Sequence, residues 1–126
     1  MKSWTRDELD KIGKAEELQI ASMRRDGTIR KPVTIWVVRV GDELFVRSVN
    51  GPASAWFRGV QVKQVGRISA GGIEQEVTFS EADPSLNDAI DATYRAKYRR
   101  YAKRIVDSIV SPEARSATIR LLRRGS

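Results

Sequence analysis

The chain has 126 residues, a length typical of one domain, and at this size a single hydrophobic core can form. It contains no histidine and no cysteine, which excludes a Ser-His triad, a thiolate nucleophile, a disulfide and a His/Cys metal site. The N-terminal stretch is too polar for a signal peptide, and the longest apolar run, residues 35–38, is too short to cross a bilayer. These features predict a cytoplasmic protein with no bound metal and no membrane contact.

The net charge of +7 is concentrated at one end of the chain. Residues 1–94 hold 13 Lys or Arg against 14 Asp or Glu. Residues 95–126 hold 10 Lys or Arg against only Asp107 and Glu113. This basic quarter indicates either an anionic partner or a solvated helix face.

The first predicted element is a short helix over about residues 6–13. Thr5 and Glu8 have the spacing of a capping box, and Trp4 and Leu9 have the spacing of a hydrophobic staple. The chain is therefore expected to begin with a helix whose apolar side packs on the core.

A strand and a hairpin are predicted next. Residues 18–22 alternate in a way that predicts a first strand. Residues 33–40, VTIWVVRV, are β-branched and aromatic and predict a strong strand. The dipeptide Gly41-Asp42 then predicts a turn into a partner strand over residues 43–48.

A second hairpin is predicted from residues 60–70 through a Gly-Gly turn to residues 73–82. A long helix is predicted over about residues 85–105, capped by Ser85 with Asp88. Its apolar stripe is formed by Leu86, Ile90, Tyr94, Tyr98, Tyr101 and Ile105. Pro112 predicts the start of a short helical segment, and residues 118–122 predict a closing strand.

Hairpins at this spacing favour a small antiparallel barrel over a parallel sheet. The expected fold is mainly β with α, a six-stranded antiparallel barrel with a long helix at about residues 85–105 packed across it. The single domain, residues 1–126, divides into an N-terminal helix (1–15), barrel hairpins (17–82), a helical region (85–116) and a closing strand (117–123).

Two clusters near strand ends are candidates for ligand binding. Arg30 and Lys31 precede Thr34 at a strand entrance, where cations, a hydroxyl and backbone amides could hold a phosphate. Arg47 and Ser48 end the neighbouring strand, and pairing through the Gly-Asp turn brings them to the same rim. The alternative for both clusters is a polar rim in solvent.

The loop SVNGPASAWFRGV, residues 48–60, raises the same question. Gly51 allows the backbone to approach a flat ligand because it has no Cβ. Trp56 and Phe57 could stack on a ring system or fill the core, and one of the two is expected to point inward in either case.

The segment YRAKYRRYAKR, residues 94–104, interleaves tyrosines with cations. Such a pattern occurs in surfaces that bind nucleic acids. Tyr94, Tyr98 and Tyr101 have helical spacing, however, which favours a position on the apolar stripe. A nucleic-acid-binding barrel is therefore kept as the alternative class of function.

The string RRDGTIRKPVTIWVVRVGDELFVRS resembles the first half of the split β-barrel flavoproteins, which include pyridoxamine-phosphate-oxidase-like proteins and the deazaflavin-dependent nitroreductase group. The shared elements are Asp26-Gly27, the strand from Pro32 to Trp36, Gly41-Asp42 and Arg47-Ser48. PASAWFRGV is similar to a segment of the deazaflavin group through Pro52, Ala55, Trp56 and Phe57. The whole chain also looks like an uncharacterised bacterial family, domain of unknown function 2255, which is placed in this superfamily. The match covers about residues 18–122 in the order of elements.

The resemblance implies a split barrel that binds FMN or a deazaflavin, with the loop of residues 48–60 along the cofactor. The implied cofactor-binding residues are Arg30, Lys31, Thr34, Trp36, Arg47, Ser48, Asn50, Gly51, Ala55 and Trp56. Two departures are evident: the order Pro32-Val33-Thr34-Ile35-Trp36 is altered, and a Lys that follows the second strand in the FMN branch is absent. The second departure weakens FMN more than a deazaflavin.

The implied activity is hydride transfer between the cofactor and a small-molecule acceptor, for which the cofactor supplies the chemistry. Tyr94 and Tyr98 are the candidate proton donors, again by resemblance. The superfamily further implies a homodimer with sites between protomers. The alternatives are a nucleic-acid-binding module and a split barrel that has lost cofactor binding.

Overall fold

The computed structural model describes residues 3–124 as a nearly closed antiparallel barrel with helices packed outside it. The strands are β1 (Leu18–Ser22), β2 (Val33–Ile35), β3 (Val37–Val40), β4 (Glu43–Arg47), β5 (Val65–Ala70), β6 (Ile73–Glu81) and β7 (Thr118–Arg123). The helices are α1 (Arg6–Lys14), α2 (Ala55–Val62), α3 (Asn87–Lys97), α4 (Lys103–Ile109) and α5 (Pro112–Ser116), with 3-10 turns at Gly51–Ala53 and Pro84–Leu86. The predicted fold class is confirmed.

The barrel closes at Trp36. The strand order is β2-β1-β5-β6-β7-β4-β3, so β2 and β3 lie at opposite ends of the order although only Trp36 separates them in the chain. β2 pairs with β1, and β3 pairs with β4. The single strand predicted over residues 33–40 is therefore two strands, and the sheet has seven strands instead of six.

Apolar side chains pack on both faces of the sheet. One cluster fills the barrel and includes Leu44 and Val46 of β4. The other lies under α3 and α4 and includes Phe45 of the same strand. Because β4 is buried on both faces, its last residue, Arg47, is also drawn into the interior and is 1% exposed.

The N-terminal helix forms as predicted. The Thr5 hydroxyl accepts from the Glu8 amide, and the Glu8 carboxylate accepts from the Thr5 amide, which completes the capping box. Trp4 donates from Nε1 to the Leu121 carbonyl at 2.9 Å and thereby ties this end of the chain to β7. The predicted helix at Pro112 and the closing strand are also present.

The long helix predicted over residues 85–105 is wrong in two respects. α3 ends at Lys97, and a turn separates it from α4, with the Tyr101 amide donating to the Tyr98 carbonyl. Residue Ile105 consequently leaves the predicted stripe and is 43% exposed. The expected Ser85–Asp88 cap is also wrong, because the Asp83 carboxylate accepts from the Ser85 amide ahead of α3.

The second predicted hairpin begins later than expected. Residues 60–62 belong to α2, which Ser54 caps by accepting from the Phe57 amide. The hairpin itself starts at Val65 and turns through Gly71-Gly72, as predicted. Phe57 and Val60 are buried at helical spacing, and this packing overrides the alternating pattern of the sequence.

Within residues 3–124, none of the helices has the length and apolar character needed to cross a bilayer.

Candidate functional site

A cavity of about 350 Å³ lies where the barrel closes. Its walls come from β2 and the residue after it, the end of β4, the loop that follows β4, the first turn of α2, and α4. The lining residues are Val33, Thr34, Ile35, Trp36, Arg47, Ser48, Val49, Asn50, Ser54, Trp56, Ile105, Ser108 and Ile109. The volume is in the range of small-molecule sites, and the lining combines apolar surface with a few polar groups, as such sites do.

Two tryptophans contribute the aromatic surface of the cavity. The Trp36 indole stacks on the Tyr98 ring, with centroids 3.8 Å apart and planes 3° from parallel. Trp56 is half-buried, and Phe57 beside it is 3% exposed in the barrel core. Phe57 is thus the inward-pointing member of the pair, and Trp56 is left to face the cavity.

The Arg47 guanidinium is fully used by the protein. Its five N–H groups have five acceptors, which are Thr118 Oγ1, an Asp91 carboxylate oxygen, the Ile109 carbonyl, and the side-chain and backbone oxygens of Asn87. Arg47 can therefore place positive charge beside the cavity, but it has no N–H left to donate to a ligand. The main role of Arg47 in this arrangement is to hold the end of β4 to the surrounding elements.

The polar side chains of the cavity differ in how many of their groups are free. Ser48 donates to the Ser54 hydroxyl at 2.7 Å, which joins the end of β4 to the start of α2. The Thr34 hydroxyl accepts from Gln19 at 2.7 Å and keeps its own proton to donate. Asn50 is exposed and its amide makes no hydrogen bond to any of the described residues. The Ser54 hydroxyl accepts from Ser48 and from the Phe57 amide and also keeps its proton, so Thr34, Asn50 and Ser54 have groups available to a ligand.

The stretch of sequence around β2 and the stretch from the end of β4 into α2 carry no carboxylate. The sequence has no Asp or Glu between Asp26 and Asp42, and none between Glu43 and Glu74. On the wall formed by α4, the Asp107 carboxylate is paired with Arg95 and Lys103. The lining residues consequently include no carboxylate that would repel an anionic ligand, and the charge of Arg47 is balanced by Asp91. Within residues 3–124, no three His, Cys, Asp or Glu side chains gather to form a metal site.

Six of the ten predicted cofactor-binding residues meet at this cavity: Thr34, Trp36, Arg47, Ser48, Asn50 and Trp56. The other four lie outside its lining. Arg30 packs beside Gly59, and its Nε is buried without a hydrogen-bond partner in residues 3–124. Lys31 and Ala55 are exposed. Gly51 has φ +67°, and a Cβ there would lie 3.1 Å from the Glu113 carbonyl, so its close approach is to α5.

The candidate proton donors, Tyr94 and Tyr98, are core residues that do not line the cavity. Tyr98 donates to the Glu16 carbonyl at 2.7 Å and accepts from the Val37 amide at 3.3 Å. Tyr94 is 0% exposed, and its hydroxyl completes no hydrogen bond with the described residues. Burial raises the pKa of both hydroxyls well above the ordinary tyrosine value.

These two tyrosines give opposite expectations for removal of a hydroxyl. Tyr98→Phe should lower the free energy of unfolding by about 1–3 kcal/mol, because the buried Val37 amide loses an acceptor. Tyr94→Phe should be neutral or stabilising, because it removes a buried hydroxyl that has no partner. Urea unfolding of both variants measures the difference, and a larger loss in Tyr94→Phe than in Tyr98→Phe would contradict these assignments.

Seven lining residues were not among the ten named from the sequence, although two of them, Val49 and Ser54, lie in the loop of residues 48–60 that was predicted to follow the cofactor. The seven are Val33, Ile35, Val49, Ser54, Ile105, Ser108 and Ile109. The contribution of α4 was missed because the sequence gives no Gly or Pro at the break after α3. Ile105, Ser108 and Ile109 have i, i+3 and i+4 spacing, which places them on one face of a helix. This spacing is the sequence pattern from which a shared position at the cavity could have been predicted.

The basic segment of residues 95–104 is partly neutralised. Arg100 pairs with Glu16, and Arg95 and Lys103 pair with Asp107. Tyr94 and Tyr98 are buried and offer no exposed ring on which a base could stack, and Tyr101 is half-buried. Binding of nucleic acid through this segment remains an untested alternative.

The family described as an uncharacterized protein conserved in bacteria (DUF2255) matches residues 8–121. None of the curated proteins matches the chain in sequence. The resemblance to this family and to split-barrel proteins is thereby confirmed at the level of family and fold.

Three solved structures share the fold. HutZ, described as a heme storage protein from Vibrio cholerae, is 14% identical with a TM-score of 0.68, and the match covers 93% of this chain and 87% of HutZ. An F420 reductase is 14% identical with a TM-score of 0.57, covering 93% of this chain and 91% of the reductase. An FAD- and heme-binding protein from Mycobacterium smegmatis is 18% identical with a TM-score of 0.54, covering 98% of this chain and 68% of that protein.

Proposed function

We propose, from the premise that the chain belongs to the DUF2255 family, that the cavity at Trp36 binds a flavin or a deazaflavin. We further propose that the protein is a reductase that transfers hydride between this cofactor and a small acceptor. The observation that carries the proposal is the cavity itself: about 350 Å³, with Trp36 and Trp56 in its lining and no carboxylate in it. The similar structures described as an F420 reductase and as an FAD- and heme-binding protein support the same class of ligand.

The residues of the cavity fit a flavin-type ring. Trp36 is held in position by its stacking on Tyr98, so it offers a preorganised aromatic wall. Thr34 and Asn50 can hydrogen-bond the polar edge of a ring system. A bound flavin or deazaflavin supplies the hydride chemistry, and the chain is required only to bind and orient it and to exclude water.

Heme fits this cavity less well, although two of the similar structures are described as heme proteins. Heme iron in proteins is held by His, Cys, Met or Tyr. The chain has no His and no Cys, and no Met or Tyr lines the cavity among the described residues. A flavin needs no such ligand, and this difference favours flavin or deazaflavin over heme.

Apolar surface at the cavity supports the proposal that a second copy of the chain covers it. Four large apolar side chains are exposed within residues 3–124, and Val33, Val49 and Ile105 among them line the cavity. Exposed apolar surface grouped in this way marks contact sites more often than scattered residues do. The homodimer and the cytoplasmic location remain predictions.

Titration of the protein with FMN and with a deazaflavin tests the proposal. Binding should quench tryptophan fluorescence saturably, because two of the three tryptophans line the cavity. Hemin serves as the comparison ligand and should show no axial-ligand spectrum. The absence of saturable binding of both FMN and the deazaflavin at high micromolar concentration would contradict the proposal and favour a barrel that has lost cofactor binding.

A further inference from the structure

The cavity lacks a cation that can hydrogen-bond an anionic ligand. Arg47 is the only cation among the lining residues, and its five N–H groups are occupied by protein acceptors. Flavin nucleotides carry a phosphate, and phosphates in proteins are held by charge-assisted hydrogen bonds. If a flavin nucleotide binds here, a charge-assisted contact to its phosphate would have to come from a cation outside the lining.

Helix α4 brings one such cation to the cavity. Ile105, Ser108 and Ile109 present one face of α4 to the cavity. Arg104 precedes Ser108 by four residues, which places it one turn earlier on the same side of the helix. Arg104 is exposed and is not itself one of the lining residues.

Arg104 has no acidic partner among residues 3–124, unlike its neighbours. Lys103 pairs with Asp107, and Arg100 pairs with Glu16. The first turn of α4 contains Lys103 and Arg104 and no acidic residue, the reverse of the arrangement that stabilises a helix N-terminus. A free cation in a position that costs the helix stability indicates a role other than stabilising the fold.

We propose that Arg104 binds the phosphate of the cofactor at the α4 side of the cavity, an inference that rests on the proposed function. A guanidinium suits this task because its planar N–H groups match phosphate oxygens in pairs. Lys31, the cation expected from the sequence, is exposed and lies outside the lining, two residues before Val33. It shares no helix face with lining residues, whereas Arg104 does.

The test compares FMN with riboflavin, which has the same ring and no phosphate. Wild-type protein should bind FMN about tenfold more tightly than riboflavin, the lower end of the range for a hydrogen bond to a charged group. Arg104→Gln should abolish this preference and leave riboflavin affinity unchanged. The preference should also shrink as salt is raised, because the contact is exposed.

Arg99→Gln is the matched control. Arg99 is exposed in the same basic segment, lacks an acidic partner among residues 3–124 and does not line the cavity, so its loss changes the net charge equally. A preference for FMN that disappears in Arg104→Gln and persists in Arg99→Gln supports the proposal. A preference that survives in Arg104→Gln, or that is lost in Lys31→Gln instead, overturns it. Equal wild-type affinity for the two flavins also overturns it but leaves the proposed function standing, whereas failure to bind FMN, riboflavin and a deazaflavin removes the proposed function itself.

Discussion

Replacing Arg47 with methionine is expected to lower the free energy of unfolding by about 3–5 kcal/mol. The Arg47 side chain is 0% exposed and forms an ion pair with Asp91, whose side chain is 21% exposed. Removing the guanidinium leaves the Asp91 carboxylate without its partner. It also leaves the acceptor oxygens of Asn87, Thr118 and Ile109 without a donor. Urea unfolding followed by circular dichroism measures the loss.

Arg95→Met provides the control for this prediction. Arg95 pairs with Asp107 at 3.0 Å, but the two side chains are 52% and 38% exposed. Pairs of this kind contribute less than about 1 kcal/mol, so Arg95→Met should be nearly neutral. Equal losses in the two variants would show that Arg47 is not the structural centre of the site. Weak ligand binding by Arg47 variants must accordingly be corrected for the unfolded fraction.

The second large effect is expected from blocking the cavity. Ser108 faces the cavity from α4, and its hydroxyl donates to the Ile105 carbonyl at 2.6 Å. Ser108→Trp should project an indole into the space that the ligand ring requires. Affinity for FMN or the deazaflavin should fall by at least about 100-fold, or about 2.7 kcal/mol, measured by the fluorescence of the ligand.

Ser116→Trp is the matched control for the blocking variant. Ser116 lies in α5, donates to the Glu113 carbonyl at 2.7 Å in the same i to i−3 geometry, and lines a separate cavity of about 410 Å³. Its replacement adds the same indole away from Trp36 and should leave affinity unchanged. If Ser116→Trp abolished binding and Ser108→Trp did not, the ligand would occupy the other cavity.

Much of the fold could be predicted because local patterns and tertiary packing agree. The capping box at Thr5, the Gly41-Asp42 hairpin and the Gly71-Gly72 turn each form as their sequence indicates. Two of the failed predictions arise where tertiary contacts override local preference. Helix α3 ends at Lys97 although no Gly or Pro follows, and Tyr98, the next residue, is stacked on Trp36. Residues 60–62, which alternate like a strand, are helical because Phe57 and Val60 are buried on one face of α2.

The candidate site could be predicted in part. Thr34 and Ser48 do meet at one cavity, but the predicted hairpin register is not the cause, because Thr34 lies in β2, which pairs with β1, and only β3 pairs with β4. The two residues are brought together by closure of the barrel at Trp36. The burial of Arg47 could not be read from the sequence, because Asn87 and Asp91 lie some 40 residues away in the chain and reach it only through packing of α3. The cavity wall formed by α4 was missed because it depends on the end of α3 at Lys97, which no Gly or Pro in the sequence indicates.

The most direct test of the central claim is the location of the ligand in crystals grown with FMN or the deazaflavin. Difference density for the ring system is expected in the cavity lined by Trp36 and Trp56, beside the loop of residues 48–54. Density for the ring in the cavity at Ser116, or at any other surface of the protein, would contradict this claim.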